Sequence, residues 1–178
     1  AGLRAARGEF IAFLDADDIW EPHKIELQLA EAARTSAALV YTDRHNIGER
    51  GALPLVQSEI QPLIDGDVFE RLLHANVITT SSVLLRRSVF DDLEGFSTDP
   101  NVLYAEDWDL WLRVAHDHRV AACRAPLVSY RHHQSGMSHQ RQLSAARCVV
   151  IARALALPRG RALSRATQRD IWTHVWRS

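Results

Sequence analysis

The sequence predicts an α/β fold, a mixed sheet flanked by helices with further helices at the C-terminus. Three observations carry this expectation. Short apolar runs at 10–14, 38–42 and 79–85 have the length of strands rather than helices. Amphipathic stretches at 21–34 and 105–116, with apolar residues at helical spacing, alternate with them. The first run ends in Asp15, Asp17 and Asp18, and open α/β sheets hold ligands at the C-terminal ends of their strands.

Taken in order, Ala1–Arg7 is composed like a helix that Gly8 ends. Phe10–Leu14 reads as a strand buried on both faces. Pro22 suits the first turn of the next helix, whose inner stripe is expected at Ile25, Leu29 and Ala32. Ala38–Thr42 is a second strand with Asp43 as a turn residue at its end. Asn46–Ile64, with Gly48, Gly51, Pro54 and Pro62, reads as an irregular or β-ribbon excursion. Asp67 is placed to cap a helix over 68–74. Thr79–Leu85 is β-branched and apolar, hence a strand. A short helix over 86–93 ends at Gly95, and 105–116 forms a strong helix with Trp108, Leu112 and Ala115 on one face and Trp111 beside it. Two short strands, 120–123 and 127–131, are separated by Pro126. A polar loop leads to C-terminal helices near 142–157 and 164–176, with Trp172 and Trp176 on one face.

A chain of 178 residues, 47% apolar and 24% charged, has the size and composition of one globular domain. A net charge of −1 gives no footprint for nucleic acid. Cys123 and Cys148 form no zinc motif and read as buried free thiols, which suits a reducing cytoplasm. No apolar run is long enough to span a membrane. The C-terminal helices pack on the domain or rest at a membrane surface.

Three groups of residues carry chemistry. Asp15, Asp17 and Asp18 repel one another unless water, a cationic side chain or a metal stands among them. Their hard oxygens suit Mg²⁺ or Mn²⁺, and an acidic turn without chemistry is the alternative. Glu106 and Asp107 open a helix, where its dipole favours acids, and where a carboxylate beside a cleft can serve as general base. Tyr130-Arg131-His132-His133, with Ser135 and Ser138, ends a strand, so at most one of the two histidines points into a given site.

The order of these blocks is itself recognisable. ARGEFIAFLDADDIWEPHKIELQ, TTSSVLLRRSVFDDLEGF, AEDWDLWLRVA and APLVSYRHHQSGMS together resemble family 2 glycosyltransferases of the GT-A fold, from residue 1 to about Ser138. The resemblance divides the chain into a GT-A portion, 1–140, and a C-terminal helical extension, 141–178. It implies that Asp15-Ala16-Asp17 is the DXD motif, with Asp15 near the donor ribose and Asp17 toward Mg²⁺ or Mn²⁺. Asp18 supports the metal site, Asp107 is the catalytic base, and Glu106 and Trp108 orient or support the acceptor. Arg131 and His133 lie near the donor diphosphate or its metal.

The implied reaction transfers a sugar, with inversion, from a nucleotide-sugar to a hydroxyl of a glycan or lipid-linked acceptor. The implied setting is the cytoplasm or the inner face of the membrane, in bacterial polysaccharide synthesis. Ala1 matches a point after the family's first nucleotide-binding strands, so the expectation is an N-terminally truncated sheet that binds nucleotide-sugar poorly. An inactive remnant of such an enzyme is the non-catalytic alternative. A haloacid-dehalogenase-like phosphohydrolase also places Asp-x-Asp after a strand, but leaves the 106–113 and 130–138 blocks unexplained.

Overall fold

The computed structural model describes residues 5–48, 51–132 and 142–177. Its strands are β1 (Phe10–Ala12), β2 (Ile19–Trp20), β3 (Leu39–Gly48), β4 (Gly51–Val56), β5 (Val83–Arg86) and β6 (Val120–Arg131). Its helices are α1 (Lys24–Thr35), α2 (Gln57–Ile60), α3 (Phe69–His74), α4 (Arg87–Asp92), α5 (Glu106–Asp117), α6 (Gln142–Ala156), α7 (Pro158–Ala162) and α8 (Arg165–Arg177).

The strands form a mixed sheet in the order β1-β5-β3-β6-β2, with β4 paired to β3. The β3–β6 pair at its centre is parallel, and the remaining pairs are antiparallel. Leu39, Val40, Tyr41, Val120 and Ala121 are buried there, which explains the continuous apolar run of β3. β6 is one strand rather than two. Its register against β3 shifts at Asp43, opposite Pro126, and the bulge accommodates a residue with no N–H to give the ladder. The β-ribbon expected after residue 46 is the β3–β4 pair.

Two expectations of burial are corrected. β1 stands at the end of the sheet order and pairs with β5, so Ile11 is buried while Leu14, beyond the strand, is 51% exposed. On α1 the buried residues are Lys24, Gln28 and Ala32, and Leu29 faces out. A polar network draws that face inward. Lys24 Nζ donates to Gln28 Oε1 (2.6 Å) and lies 4.2 Å from the centre of the Trp20 ring; Gln28 Nε2 donates to the carbonyls of Val40 (2.7 Å) and Ser82 (2.8 Å). Every polar atom drawn into the core this way has a partner, which is the condition for burying it at low cost.

The main core lies on the other side of the sheet and is organised by α5. Trp108, Trp111, Leu112 and Ala115 are buried, as the helical spacing predicts, and Leu110 and Val114 are buried beside them. Phe13, just after β1, packs edge-on against Phe96 (5.1 Å between ring centres) and Trp111 (6.0 Å). α6 and α8 bury Val150, Ile151, Ala154, Ile171 and Val175 in this same core. Cys123 and Cys148 are free thiols, but only partly buried, because each sits at the edge of an apolar cluster rather than inside it.

Candidate active site

Four consecutive residues, Thr79-Thr80-Ser81-Ser82, form the hub of the site. Thr80–Ser82 is a 3₁₀ turn leading into β5, where the sequence predicts plain strand. The turn frees its polar groups from the sheet ladder, and each finds a different element. Thr79 Oγ1 accepts a short hydrogen bond from Arg44 Nη1. Thr80 Oγ1 donates to Asp107 Oδ2 (3.1 Å). Ser81 Oγ accepts the Asp15 N–H (3.0 Å), and the Ser81 carbonyl accepts Trp20 Nε1–H (2.8 Å). The Ser82 carbonyl accepts Gln28 Nε2–H (2.8 Å). One turn thus ties the acidic loop, the start of α5 and a pocket arginine together.

Asp107 opens α5 on the wall of a pocket of about 660 Å³ that Asp15, Arg44, Thr80, Glu106 and Tyr130 also line. Its Oδ1 accepts the Trp108 N–H (2.6 Å), and its Oδ2 accepts from Asn76 Nδ2 (3.1 Å) and Thr80. Burial pushes its carboxyl up to about 6, against the three hydrogen bonds that favour the ionised form. A carboxylate oriented on both oxygens, and titrating just below neutrality, can accept a proton at neutral pH. Tyr104, on the pocket rim, holds a left-handed φ of 72°, a conformation that costs a non-glycine residue roughly 1–2 kcal/mol.

The acidic loop faces Asp107's neighbours. Asp15 is half-buried, and burial, followed by the charge of Asp18, raises its carboxyl above the ordinary range; Asp17 and Glu106 act in the same direction. Asp18 is buried and accepts the Arg131 N–H through Oδ1 (2.9 Å), while its Oδ2 is buried without a hydrogen-bond partner. Asp17 is exposed, and its carbonyl accepts Arg131 Nε–H (2.9 Å). Among the described residues, Asp18 therefore brings a buried oxygen without a hydrogen-bond partner close enough to Asp15 to raise its carboxyl. Such a pair fits a Mg²⁺ or Mn²⁺ ion taking one or two carboxylates and completing its shell with water and phosphate. Among the described residues no group of three or more His, Cys, Asp or Glu forms a ready cage, and such an ion needs none.

The structure brings Asp15, Glu106, Asp107 and Trp108 to one pocket, with Asp17, Asp18 and Arg131 joined in the adjoining loop. Trp108 is 4% exposed and donates Nε1–H to the Leu72 carbonyl (2.8 Å), so its indole belongs mainly to the core. Arg131 braces the acidic loop through both its backbone and its side chain. His133, Ser135 and Ser138 lie outside the described residues, as does the Trp176 side chain. Asp43 is not a turn residue. It is buried within β3, where its carboxylate accepts from the Arg44 N–H (2.8 Å), the Ser58 N–H (3.1 Å) and the Ser58 hydroxyl (2.5 Å). The sequence reading missed Arg44, Asn76, Thr80 and Ser81, while Tyr130, which it placed in a chemical block, lines the pocket. For Thr80 and Ser81 a signal was present, since four hydroxyl residues in a row open an otherwise apolar run.

A mixed sheet flanked by helices brings an acidic strand-end loop and a helix-start carboxylate to one pocket, an α/β architecture with an acid-lined site. The chain belongs to glycosyl transferase family 2, whose family model matches residues 1–94, more than half its length. Over 138 residues it is 30% identical to the Escherichia coli UDP-Glc:alpha-D-GlcNAc-diphosphoundecaprenol beta-1,3-glucosyltransferase WfgD, covering 76% of this chain and 51% of that one. An uncharacterised glycosyltransferase of Rickettsia conorii is 28% identical over 130 residues, 73% of this chain and 21% of its own. The chain thus spans about half or less of the length of these relatives. The crystal structure of S. aureus TarS 1-349 in complex with UDP-GlcNAc superposes with a TM-score of 0.67 at 16% identity, covering 98% of this chain and 49% of that one. The fold is therefore GT-A, as the sequence predicts. No helix among the described residues is long and apolar enough to cross a membrane.

Proposed function

We propose that this chain forms the catalytic part of an inverting glycosyltransferase, moving a sugar from a nucleotide-diphosphate donor to an acceptor hydroxyl with Asp107 as general base. The observation that carries this reading is the Asp107 carboxylate, fixed by Asn76, Thr80 and the Trp108 N–H on the wall of the pocket that Asp15 also lines.

An alcohol is a weak nucleophile until its proton is taken during attack. Asp107 takes that proton. The hydroxyl oxygen then forms a bond to the anomeric carbon as the bond to the diphosphate oxygen breaks, and a single displacement inverts the configuration. Asp15 and Asp17 bind the donor, with Asp17 directed to Mg²⁺ or Mn²⁺ and Asp18 steadying the loop through Arg131 and the metal site alongside it. A divalent ion at this loop supplies positive charge to the departing diphosphate. Glu106 orients the acceptor at the start of α5. Arg131 is assigned to the donor diphosphate, and the family resemblance adds His133 as a further metal ligand. A UDP-sugar donor is favoured, since the TarS complex contains UDP-GlcNAc and the E. coli relative is named for UDP-Glc. That relative's acceptor is lipid-linked, and such an acceptor would place the protein at the inner face of a membrane. The division into a transferase portion, 1–140, and a helical extension, 141–178, belongs to this reading.

The test incubates the chain with UDP-sugars, Mn²⁺ and diphosphoundecaprenol-linked or free sugar acceptors, reading UDP release and product anomer by NMR. Inverted product from the wild type, with a fall of roughly 10²–10⁴-fold in Asp107→Asn, supports the proposal. Retained configuration, or equal rates in the variant, overturns it.

A further inference from the structure

Arg44 stands in the pocket with neutral partners. β3 carries it past the register shift at Asp43 to the wall shared with Gln57, Gln61 and Tyr130. Nη1 donates to Thr79 Oγ1, Nη2 donates to Gln57 Oε1 (3.1 Å), and the guanidinium plane lies 4.2 Å from the centre of the Tyr130 ring. Nε is buried without a hydrogen-bond partner.

The two carboxylates nearest in effect each hold another partner through at least one oxygen. Asp43 is held by Ser58 and the Arg44 N–H, and Asp18 gives Oδ1 to the Arg131 N–H. Burial lowers the arginine's affinity for its own proton, although Tyr130, Asp18 and Asp43 oppose that effect. Of its five N–H groups, two reach Thr79 and Gln57, leaving one on each terminal nitrogen. A guanidinium held flat by an aromatic face and two neutral acceptors is organised to receive a planar pair of anionic oxygens. Tyr130, Asp18 and Asp43 offset part of its desolvation, and an arriving anion offsets more.

We infer that Arg44, framed by Thr79, Gln57 and Tyr130, is an anion-binding subsite of the pocket, receiving a phosphoryl or carboxylate group of a substrate. This deepens the transferase reading and rests on it for the identity of the substrate. The anion could come from the donor diphosphate or from a charged group on the acceptor, and both present the same paired oxygens.

The test titrates the full chain, free of divalent metal and at low salt, with inorganic pyrophosphate and UDP in one arm and N-acetylglucosamine 1-phosphate in the other. Wild type is expected to bind, Arg44→Gln to lose about 10- to 100-fold in affinity, and Arg44→Lys to recover part of it. Arg169→Gln, at an exposed arginine of α8, should bind as wild type does. A loss confined to pyrophosphate and UDP assigns the subsite to the donor, and a loss confined to the sugar phosphate assigns it to the acceptor. No binding by the wild type, or equal affinity in Arg44→Gln, overturns the inference. Should Arg44→Gln fail to fold, phenylglyoxal modification of wild type gives the answer: ligand must protect the Arg44 peptide, and absence of protection overturns the inference. Anion binding that depends on Arg44 in a chain that transfers no sugar would defeat the transferase reading while leaving the subsite in place.

Discussion

Asp107 draws its reactivity from two opposed effects, and each can be changed separately. Burial raises its carboxyl to about 6, while the hydrogen bonds from Trp108, Asn76 and Thr80 pull in the other direction. A base must be ionised to act, so transferase activity should climb as pH rises through about 6 and level off above it. The pH dependence of kcat checks this, and a profile flat from pH 5 to 8 would contradict it. Thr80→Val removes a donor that favours the ionised form, so the acid limb should move to higher pH. The loss should be roughly tenfold or less at pH 6 and should shrink by pH 8. A uniform loss across pH would mean that Thr80 matters for shape rather than for charge. The spacing of Glu106-Asp107 before an amphipathic helix made the base legible in the sequence. Its partners Asn76 and Thr80 come from a turn 27 or more residues away, and no local pattern encodes that meeting.

At the scale of the element, α1 shows why a periodicity can be right about a helix and wrong about its face. Ile25, Leu29 and Ala32 have the spacing of an inner stripe, yet the buried positions are Lys24, Gln28 and Ala32. Gln28 satisfies two carbonyls at the polar start of β5 and in β3, which an apolar side chain would leave unpaired. Lys24, the chain's single lysine, satisfies Gln28 in turn and supports Trp20. Burial brings its ammonium down to about 8 from an ordinary value of 10.5. Between those values the unfolded chain binds a proton that the folded chain has released, so folding stability gains from this group as pH rises from about 8 to 10.5. Below about 8 the full cost of a buried charge remains. Lys24→Met should abolish that rise while leaving the rest of the pH dependence intact, as denaturant titrations of both proteins at several pH values will show. Parallel stability curves would place the lysine in solvent. α5, by contrast, has an inner face that is apolar except for Asp109, which Arg113 pairs, so most of its buried stripe could be read from spacing. β6 was harder to read because its proline sits within an irregularity where β6 gains residues against β3, so the strand continues past it.

Across the whole molecule, α6 and α8 contribute to the main core, and α6 also reaches the pocket loop. Arg153 bonds Asp99 directly, reaches Ser97 Oγ at 3.4 Å, and stands 3.8 Å from buried Asp109. Asp109 is paired along α5 with Arg113 (2.9 Å), which donates to the carbonyls of Leu93 (2.6 Å) and Gly95 (2.8 Å). Two arginines from two helices therefore grip both ends of the segment 93–99, and Phe96–Pro100 line the candidate active-site pocket. The Asn101 N–H, then its side-chain amide and Arg153, hold Asp99 below the ordinary carboxylate range, so this grip persists through neutral and mildly acidic pH. Arg153→Gln leaves the Arg113 half of the clamp intact and releases the other half. The fold should survive with little change in Tm, because the core faces of α6 and α8 are untouched. Amide exchange should quicken in 96–101, and KM for the acceptor should rise severalfold while kcat changes little, since Asp107 is fixed by residues outside this network. If kcat fell with KM unchanged, the C-terminal helices would be acting on the chemistry itself, and a loop-positioning role for Arg153 would be wrong.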